Sequence, residues 1–227
     1  MPTELATRAD VWFVIPVYNE ALMVGNVIRS IKARGYPVVC VDDASKDGSA
    51  SAITAAGAAL VQHATNLGQG AALQTGIEYA LRQGASYLVT FDADGQHQLS
   101  DAEDMVALAK RDNLGFVFGS RFLDYRTQPG RRKSIILKLA AWVTRKSTGM
   151  TLTDAHNGLR VIRADAAAQL DLFQDRMAHA TEIVRQLSRT GLPWAEYPVH
   201  VLYTEYSKAK GQSMWNSVNI LVDLVFR

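Results

Sequence analysis

Short apolar runs alternate with segments of helical period through the first 120 residues of the chain. Val11–Val17 is a β-branched run that predicts a buried strand. After it, Leu22, Val27, Ile28 and Ile31 fall on one helical face, with Asn19 as the expected N-cap and Gly35 as the stop. The same reading predicts strands over 37–41, 59–63, 85–91 and 115–119. It predicts helices over 50–57, over 70–83 with Gly84 as terminator, and over 100–110 with Ser100 as cap. Alternation at this spacing implies an α/β protein: a mostly parallel central sheet with helices on both faces. Ligands of such sheets bind at the carboxyl ends of the strands.

Beyond residue 120 the pattern changes. A helix around 133–148 would carry Ile135, Ile136, Leu139, Trp142 and Val143, flanked by basic residues. Two further strand–helix signals follow, then a loop over 203–213 and a last apolar helix over 214–227. No internal repeat, low-complexity tract or linker divides the 227 residues, so one domain over 1–227 is expected.

Composition narrows the function. Apolar residues are 48% and charged residues 20%, as in soluble globular proteins and unlike disordered ones. The net charge of +2 argues against a nucleic-acid partner. It hides an asymmetry: residues 121–163 hold ten Lys/Arg against Asp124 and Asp154, a local +8. The single cysteine, Cys40, excludes an intramolecular disulfide framework and a cysteine zinc cage. The N-terminus lacks the layout of a signal peptide, and no run approaches the roughly 18 apolar residues of a spanning helix. A cytoplasmic protein is expected, peripheral at the inner face of the cell membrane if it meets a membrane.

Three segments at the expected strand exits carry candidate chemistry. Asp92 and Asp94 lie two apart just after a strand, in Phe-Asp-Ala-Asp-Gly-Gln-His. Clustered carboxylates repel unless a cation joins them, and oxygen ligands suit Mg²⁺ or Mn²⁺ completed by substrate phosphates. A solvated Asp-Gly turn is the simpler alternative. The EF-hand reading fails, because His97 stands where glycine is needed. Pro16 marks the end of the first strand, and Tyr18 and Glu20 follow it, a ring and a carboxylate able to hold a base. Asp42 and Asp43 follow the second strand, placed for a ribose hydroxyl or a base N–H, or as caps of the next helix. Gly68 and Gly70 match the dinucleotide fingerprint only in part, Leu73 replacing its third glycine.

These segments, with Gly-Ser-Arg at 119–121, Asp-Ala-His-Asn-Gly-Leu-Arg at 154–160 and Tyr-Ser-Lys-Ala-Lys-Gly-Gln-Ser at 206–213, resemble the family 2 glycosyltransferases of GT-A fold. The likeness covers roughly residues 10–213 and is nearest to the polyprenol-phosphate, dolichol-phosphate mannose synthase-like sugar transferases. It implies a Rossmann-like GT-A domain with a donor-nucleotide half of about 10–120 and an acceptor-side half of about 121–213. By resemblance, Pro16, Tyr18, Glu20, Asp42 and Asp43 hold the nucleoside, and Asp92, Ala93 and Asp94 form the metal-and-ribose motif. Asp94 and Gln96 contact the divalent ion, with Asp92 beside them. Arg121 and Lys210 serve the donor phosphates, Asp154 and Arg160 face the sugar and acceptor, and Arg131, Arg132 and Lys133 meet an acceptor phosphate. Leu137 stands where the polyprenol group carries a serine.

The implied reaction is inverting, metal-dependent transfer of a sugar from a UDP- or GDP-sugar to a polyprenyl phosphate. A phosphate acceptor is already an anion and needs no strong base. A saccharide hydroxyl, as in cell-surface polysaccharide synthesis, would need a carboxylate such as Asp154 to take its proton. A non-catalytic sugar-nucleotide-binding protein is the alternative of another class. The apolar C-terminal helix suits an interfacial anchor, a homodimer contact or core packing.

Overall fold

The computed structural model describes residues 8–124, 149–172 and 178–202. The expected helix at 133–148, the loop at 203–213 and the last helix lie outside the described residues, as do Arg131, Arg132, Lys133 and Lys210.

Seven strands form one sheet: β1 (Val11–Val17), β2 (Val38–Asp42), β3 (Ala59–Gln62), β4 (Tyr87–Thr90), β5 (Phe116–Ser120), β6 (Arg160–Arg163) and β7 (Trp194–Pro198). Their order is β3-β2-β1-β4-β6-β5-β7. All neighbours are parallel except β6, which runs antiparallel between β4 and β5. The α/β class with a mostly parallel sheet is as the alternation of signals predicts.

Among the described residues six helices cover the two faces: α1 (Val24–Ala33), α2 (Ser49–Ala55), α3 (Gln69–Arg82), α4 (Leu99–Arg111), α5 (Ala164–Ala167) and α6 (Ala178–Arg189). Period-two alternation sends Val11, Phe13, Ile15 and Val17 to the face under α1, α2 and α4, together with Val27, Ile28, Ile31, Ile53 and Met105. Val14, Val39, Leu88 and Phe116 point to the other face and pack with Leu73, Ile77, Ile183, Val184 and Leu187 from α3 and α6. The α3 contact is close: a Cβ at Gly76 would lie 2.4 Å from Val14 Cγ1. Among the described residues no helix is long and apolar enough to cross a membrane.

Three local expectations are corrected. Asn19 does not cap α1, which Met23 precedes. Asn19 instead takes φ +54, and its Oδ1 accepts the Lys46 N–H at 2.9 Å. Leu22 precedes α1 and is 77% exposed. Ser100 lies inside α4, whose first turn follows Gln98 with no side-chain cap. In each case a tertiary bond or a shifted helix start overrides local propensity.

Candidate active site

Apart from Asp154, which lies in the loop before β6, every candidate side chain within the described residues sits at the end of a strand or just beyond it, at one edge of the sheet. Tyr18 and Glu20 follow β1, Asp43 follows β2, the 92–96 loop follows β4, and Arg121 follows β5. Because β6 is antiparallel, its first residue, Arg160, lies at this same edge, opposite Thr90 and Phe118. A cleft of about 630 Å³ opens here, lined by Pro16, Tyr18, Glu20, Asp43, Gly68, Gln69, Asp92, Ala93 and Asp94 among others. That volume suits a small-molecule ligand.

Pro16 fits because of strand register. Phe13 donates to the Pro37 carbonyl and Val17 accepts from Asp43, so odd positions of β1 face β2. Val14 accepts from Phe91, so even positions face β4. Pro16 therefore turns its donorless nitrogen past the last β1–β4 pair, Val14↔Thr90, where no ladder bond is lost. β1 ends one residue later than the proline itself.

Asp43 shapes the cleft wall. Its Oδ1 accepts the Leu67 N–H and its Oδ2 the Gly68 N–H, both at 2.8 Å. His63 Nδ1 lies 2.8 Å from the same carboxylate, and its Nε2 lies 3.0 Å from Thr75 Oγ1 on α3. Gly68 takes φ +92 here, which favours glycine. Asp42 points elsewhere: it accepts Ser45 N–H at 3.2 Å and Gln62 Nε2–H at 3.3 Å, and it is not among the cleft-lining residues.

The acidic pair is electrostatically divided. Burial raises the Asp92 carboxyl, but His97, at 2.9 Å from Oδ2, and then Arg160 and His179 outweigh it and hold it below its ordinary value. Asp94 goes the other way. Burial, then the Asp92 charge, push it up to about 6, although its Oδ1 accepts the Gln96 N–H at 3.0 Å. Two carboxyls that share a site and cannot both ionise comfortably form a cation-seeking arrangement. Gln96 is buried, and its carbonyl accepts the Leu202 N–H at 2.9 Å.

On the far side of β6, Arg121 grips Asp154 in a fork, Nε to Oδ2 at 2.6 Å and Nη2 to Oδ1 at 2.7 Å. Burial resists ionisation of Asp154, but Arg121 outweighs it and holds the carboxyl below its usual range. Arg160 is buried between Asp92 and Asp154. Burial brings it down to about 10 while those two carboxylates oppose the fall. Its guanidinium makes no hydrogen bond among the described residues.

Residues 12–171 match the family model of glycosyl transferase family 2. The chain belongs to glycosyl transferase family 2. The transferase is 31% identical to an uncharacterised protein of Methanocaldococcus jannaschii, over 97% of this chain and 93% of that one. It is 29% identical to the UDP-N-acetylglucosamine–dolichyl-phosphate N-acetylglucosaminyltransferase of Methanococcus voltae, over 95% and 94%. Its fold matches glucosyl-3-phosphoglycerate synthase of Mycobacterium tuberculosis, crystallised with Mn²⁺, UDP and glucosyl-3-phosphoglycerate. That match has a TM-score of 0.66 at 16% identity, covering 97% and 80% of the two chains. The central sheet with its antiparallel β6 is the GT-A architecture.

Within the transferase the expected nucleoside and metal residues line one cleft, Asp42 and Gln96 excepted. Arg121, Asp154 and Arg160 form a second, buried charge group beside it. The sequence reading gave no role to Glu196 or His97. Glu196, on β7, accepts Thr153 N–H at 2.8 Å and Asp154 N–H at 3.2 Å, and so holds the turn that presents Asp154. The signal available in sequence is a lone acid between Trp194 and Tyr197 in a short apolar run, and a buried acid is rare unless paired. His97 was visible only as the residue ending the Asp-Ala-Asp-Gly-Gln-His run.

Proposed function

We propose that this transferase moves a sugar, with inversion, from a nucleoside-diphosphate sugar to a polyprenyl phosphate, using Mg²⁺ or Mn²⁺. The observation that carries the reading is the Asp92–Asp94 pair on the cleft wall, where burial and the Asp92 charge disfavour the ionised form of Asp94 and a bound cation would favour it. Among the described residues no three His, Cys, Asp or Glu side chains form a metal cage. That fits a magnesium-type site, in which one or two carboxylates hold the ion and substrate phosphates complete the shell.

Asp94 and Gln96 would hold the ion, with Asp92 beside them. The ion would supply charge neutralisation at the departing diphosphate. Tyr18 and Leu67 offer exposed apolar surface for the base, at 45% and 50% exposure. Asp43, already accepting from the 67–68 backbone, gives that wall its shape. Arg160 and Arg121 add fixed positive charge behind the acidic pair, and Lys210 is proposed to join them at the diphosphate.

The state of Asp154 supports a phosphate acceptor. Both its oxygens are engaged by Arg121 and its carboxyl lies below the usual range, so it is a weak base. An acceptor that is already an anion needs none. The local +8 of residues 121–163, with Arg131, Arg132 and Lys133, suits such an acceptor at a membrane surface. The dolichyl-phosphate acceptor in the name of the Methanococcus voltae relative supports the same choice.

The test is turnover of UDP-glucose, UDP-N-acetylglucosamine and GDP-mannose with Mn²⁺ or Mg²⁺, with and without polyprenyl phosphate, products being resolved by mass spectrometry. Glycosylated polyprenyl phosphate, lost on chelation by EDTA, is expected. Transfer only to saccharide hydroxyls, or turnover indifferent to EDTA, contradicts it.

A further inference from the structure

Buried polar side-chain atoms without partners are few in folded proteins, and a group of them marks a place that ordered water or a ligand fills. Among the described residues, four such atoms lie in one loop that runs to the start of β6. They are both ring nitrogens of His156, Asn157 Nδ2 and Arg160 Nε. The loop runs from one half of the site to the other. At its start, Asp154 is clamped by Arg121 at 2.6 and 2.7 Å. Further on, Gly158 packs so closely on the acidic pair that a Cβ there would lie 2.5 Å from Asp92 Oδ2. His156 lies between these points, and its imidazole feels the charges of Asp154, Arg160, Arg121 and His179.

A histidine buried for structural reasons gives its N–H to a carbonyl or carboxylate. His156 does neither, although charged groups surround it. Burial pushes its imidazole down to about 4, with Arg160, Arg121 and His179 adding to the fall against Asp154. At neutral pH the ring therefore presents one N–H donor and one acceptor lone pair. Two hydroxyls, one accepting from the N–H and one donating to the bare nitrogen, satisfy such a ring fully. A phosphate offers only acceptors and leaves one nitrogen unpaired.

We propose that His156 contacts the transferred sugar: its two unpartnered ring nitrogens hydrogen-bond sugar hydroxyls and so help set which sugar is accepted. The assignment rests on the sugar-nucleotide reading above. The acidic pair would hold the diphosphate end of the donor, and the sugar would extend past Gly158 toward Asp154, along the stretch that His156 occupies.

The test compares wild type, His156→Leu and His156→Gln with UDP-glucose, UDP-N-acetylglucosamine and GDP-mannose, each with Mn²⁺ and polyprenyl phosphate. Binding of UDP and GDP alone is measured by calorimetry. His156→Leu is expected to lower kcat/KM at least tenfold for the donor that wild type uses. Affinity for the free nucleotide should stay within twofold. The variant should melt at or above the wild-type temperature, since hydrocarbon replaces two unpartnered polar atoms. His156→Gln, which keeps a donor and an acceptor, should retain more activity and alter the relative rates of the three donors. Wild-type kcat/KM in the Leu variant overturns the assignment. So does an equal loss of nucleotide and nucleotide-sugar affinity, or a Leu variant that melts well below wild type. If wild type itself turns over no donor, the functional reading falls and takes this assignment with it.

Discussion

Arg121 and Asp154 meet in a two-bond fork in which the carboxylate is fully buried and the guanidinium side chain is only 12% exposed. The pair joins the exit of β5 to the turn before the 156–160 loop, and Arg121 adds its backbone N–H to the same carboxylate at 3.1 Å. Glu196 supports the turn from β7, while Ser120 Oγ lies 2.6 Å from Thr153 Oγ1. One ion pair thus locks the start of the 154–160 loop to the exit of β5.

Breaking that pair from one side should cost far more than replacing it whole. Asp154→Ala leaves Arg121 without its counter-charge and Arg160 with Asp92 alone, and a loss of about 3–5 kcal/mol is expected in urea unfolding. The double variant Arg121→Met, Asp154→Leu should recover most of this loss, because apolar packing replaces both charges. Neither protein should transfer sugar.

Asp94 gives a stability effect of opposite sign. Its carboxyl, ordinarily near 3.8, is pushed up to about 6 by burial and Asp92. Between those values the folded chain binds more protons than the unfolded one. Its stabilising contribution is therefore complete below about 3.8 and is lost as pH rises through 6. Asp94→Asn should stabilise the metal-free protein at pH 7.5 by up to about 3 kcal/mol and change little at pH 4. The same variant should lose metal-dependent binding of UDP or GDP. A melt series with and without Mn²⁺ reads both effects.

His156 should act at the acid end. Its folded value of about 4 lies below the ordinary 6.5. In that window the unfolded chain takes up the proton first, so stability falls as pH drops from about 6.5 toward 4. His156→Leu should flatten this part of the stability curve by up to roughly 3 kcal/mol, measured as the difference from wild type across pH 4 to 7.

Gly158→Ala probes the approach of the 156–160 loop to the acidic pair. The new methyl would meet Asp92 Oδ2 at 2.5 Å, and His97 already holds that oxygen at 2.9 Å. Displacement of the carboxylate is expected, with at least a tenfold fall in kcat and an unchanged circular dichroism spectrum.

Most strands on the donor side were legible because each is a short apolar run largely buried between helices, although β3, at the sheet edge, is only half-buried. Val11–Val17 was read with the bounds it has in the structure, and the helices over 70–83 and 100–110 were placed to within a residue at each end. Their caps were not legible. Asn19 has the right chemistry for a cap, but its side chain is taken by Lys46, brought near by the β1–β2 pairing. Adjacent acids looked equivalent in sequence, yet Asp42 turns to Gln62 while Asp43 meets the cleft.

The sequence by itself determined the alternation of strand and helix, and hence the sheet edge at which Tyr18, Glu20 and the acids after β2 and β4 had to gather. Spacing and residue type are local properties, so they can be read locally. The tertiary structure alone decided that β6 enters backwards between β4 and β5, bringing Arg160 and the 154–160 loop to that edge. It also decided that Asp154 is spent on Arg121, that Asp92 and Asp94 are shifted in opposite directions, and that the ring nitrogens of His156 are buried without a partner. Those outcomes depend on long-range contacts and on the desolvation of neighbouring charges, which no linear pattern records.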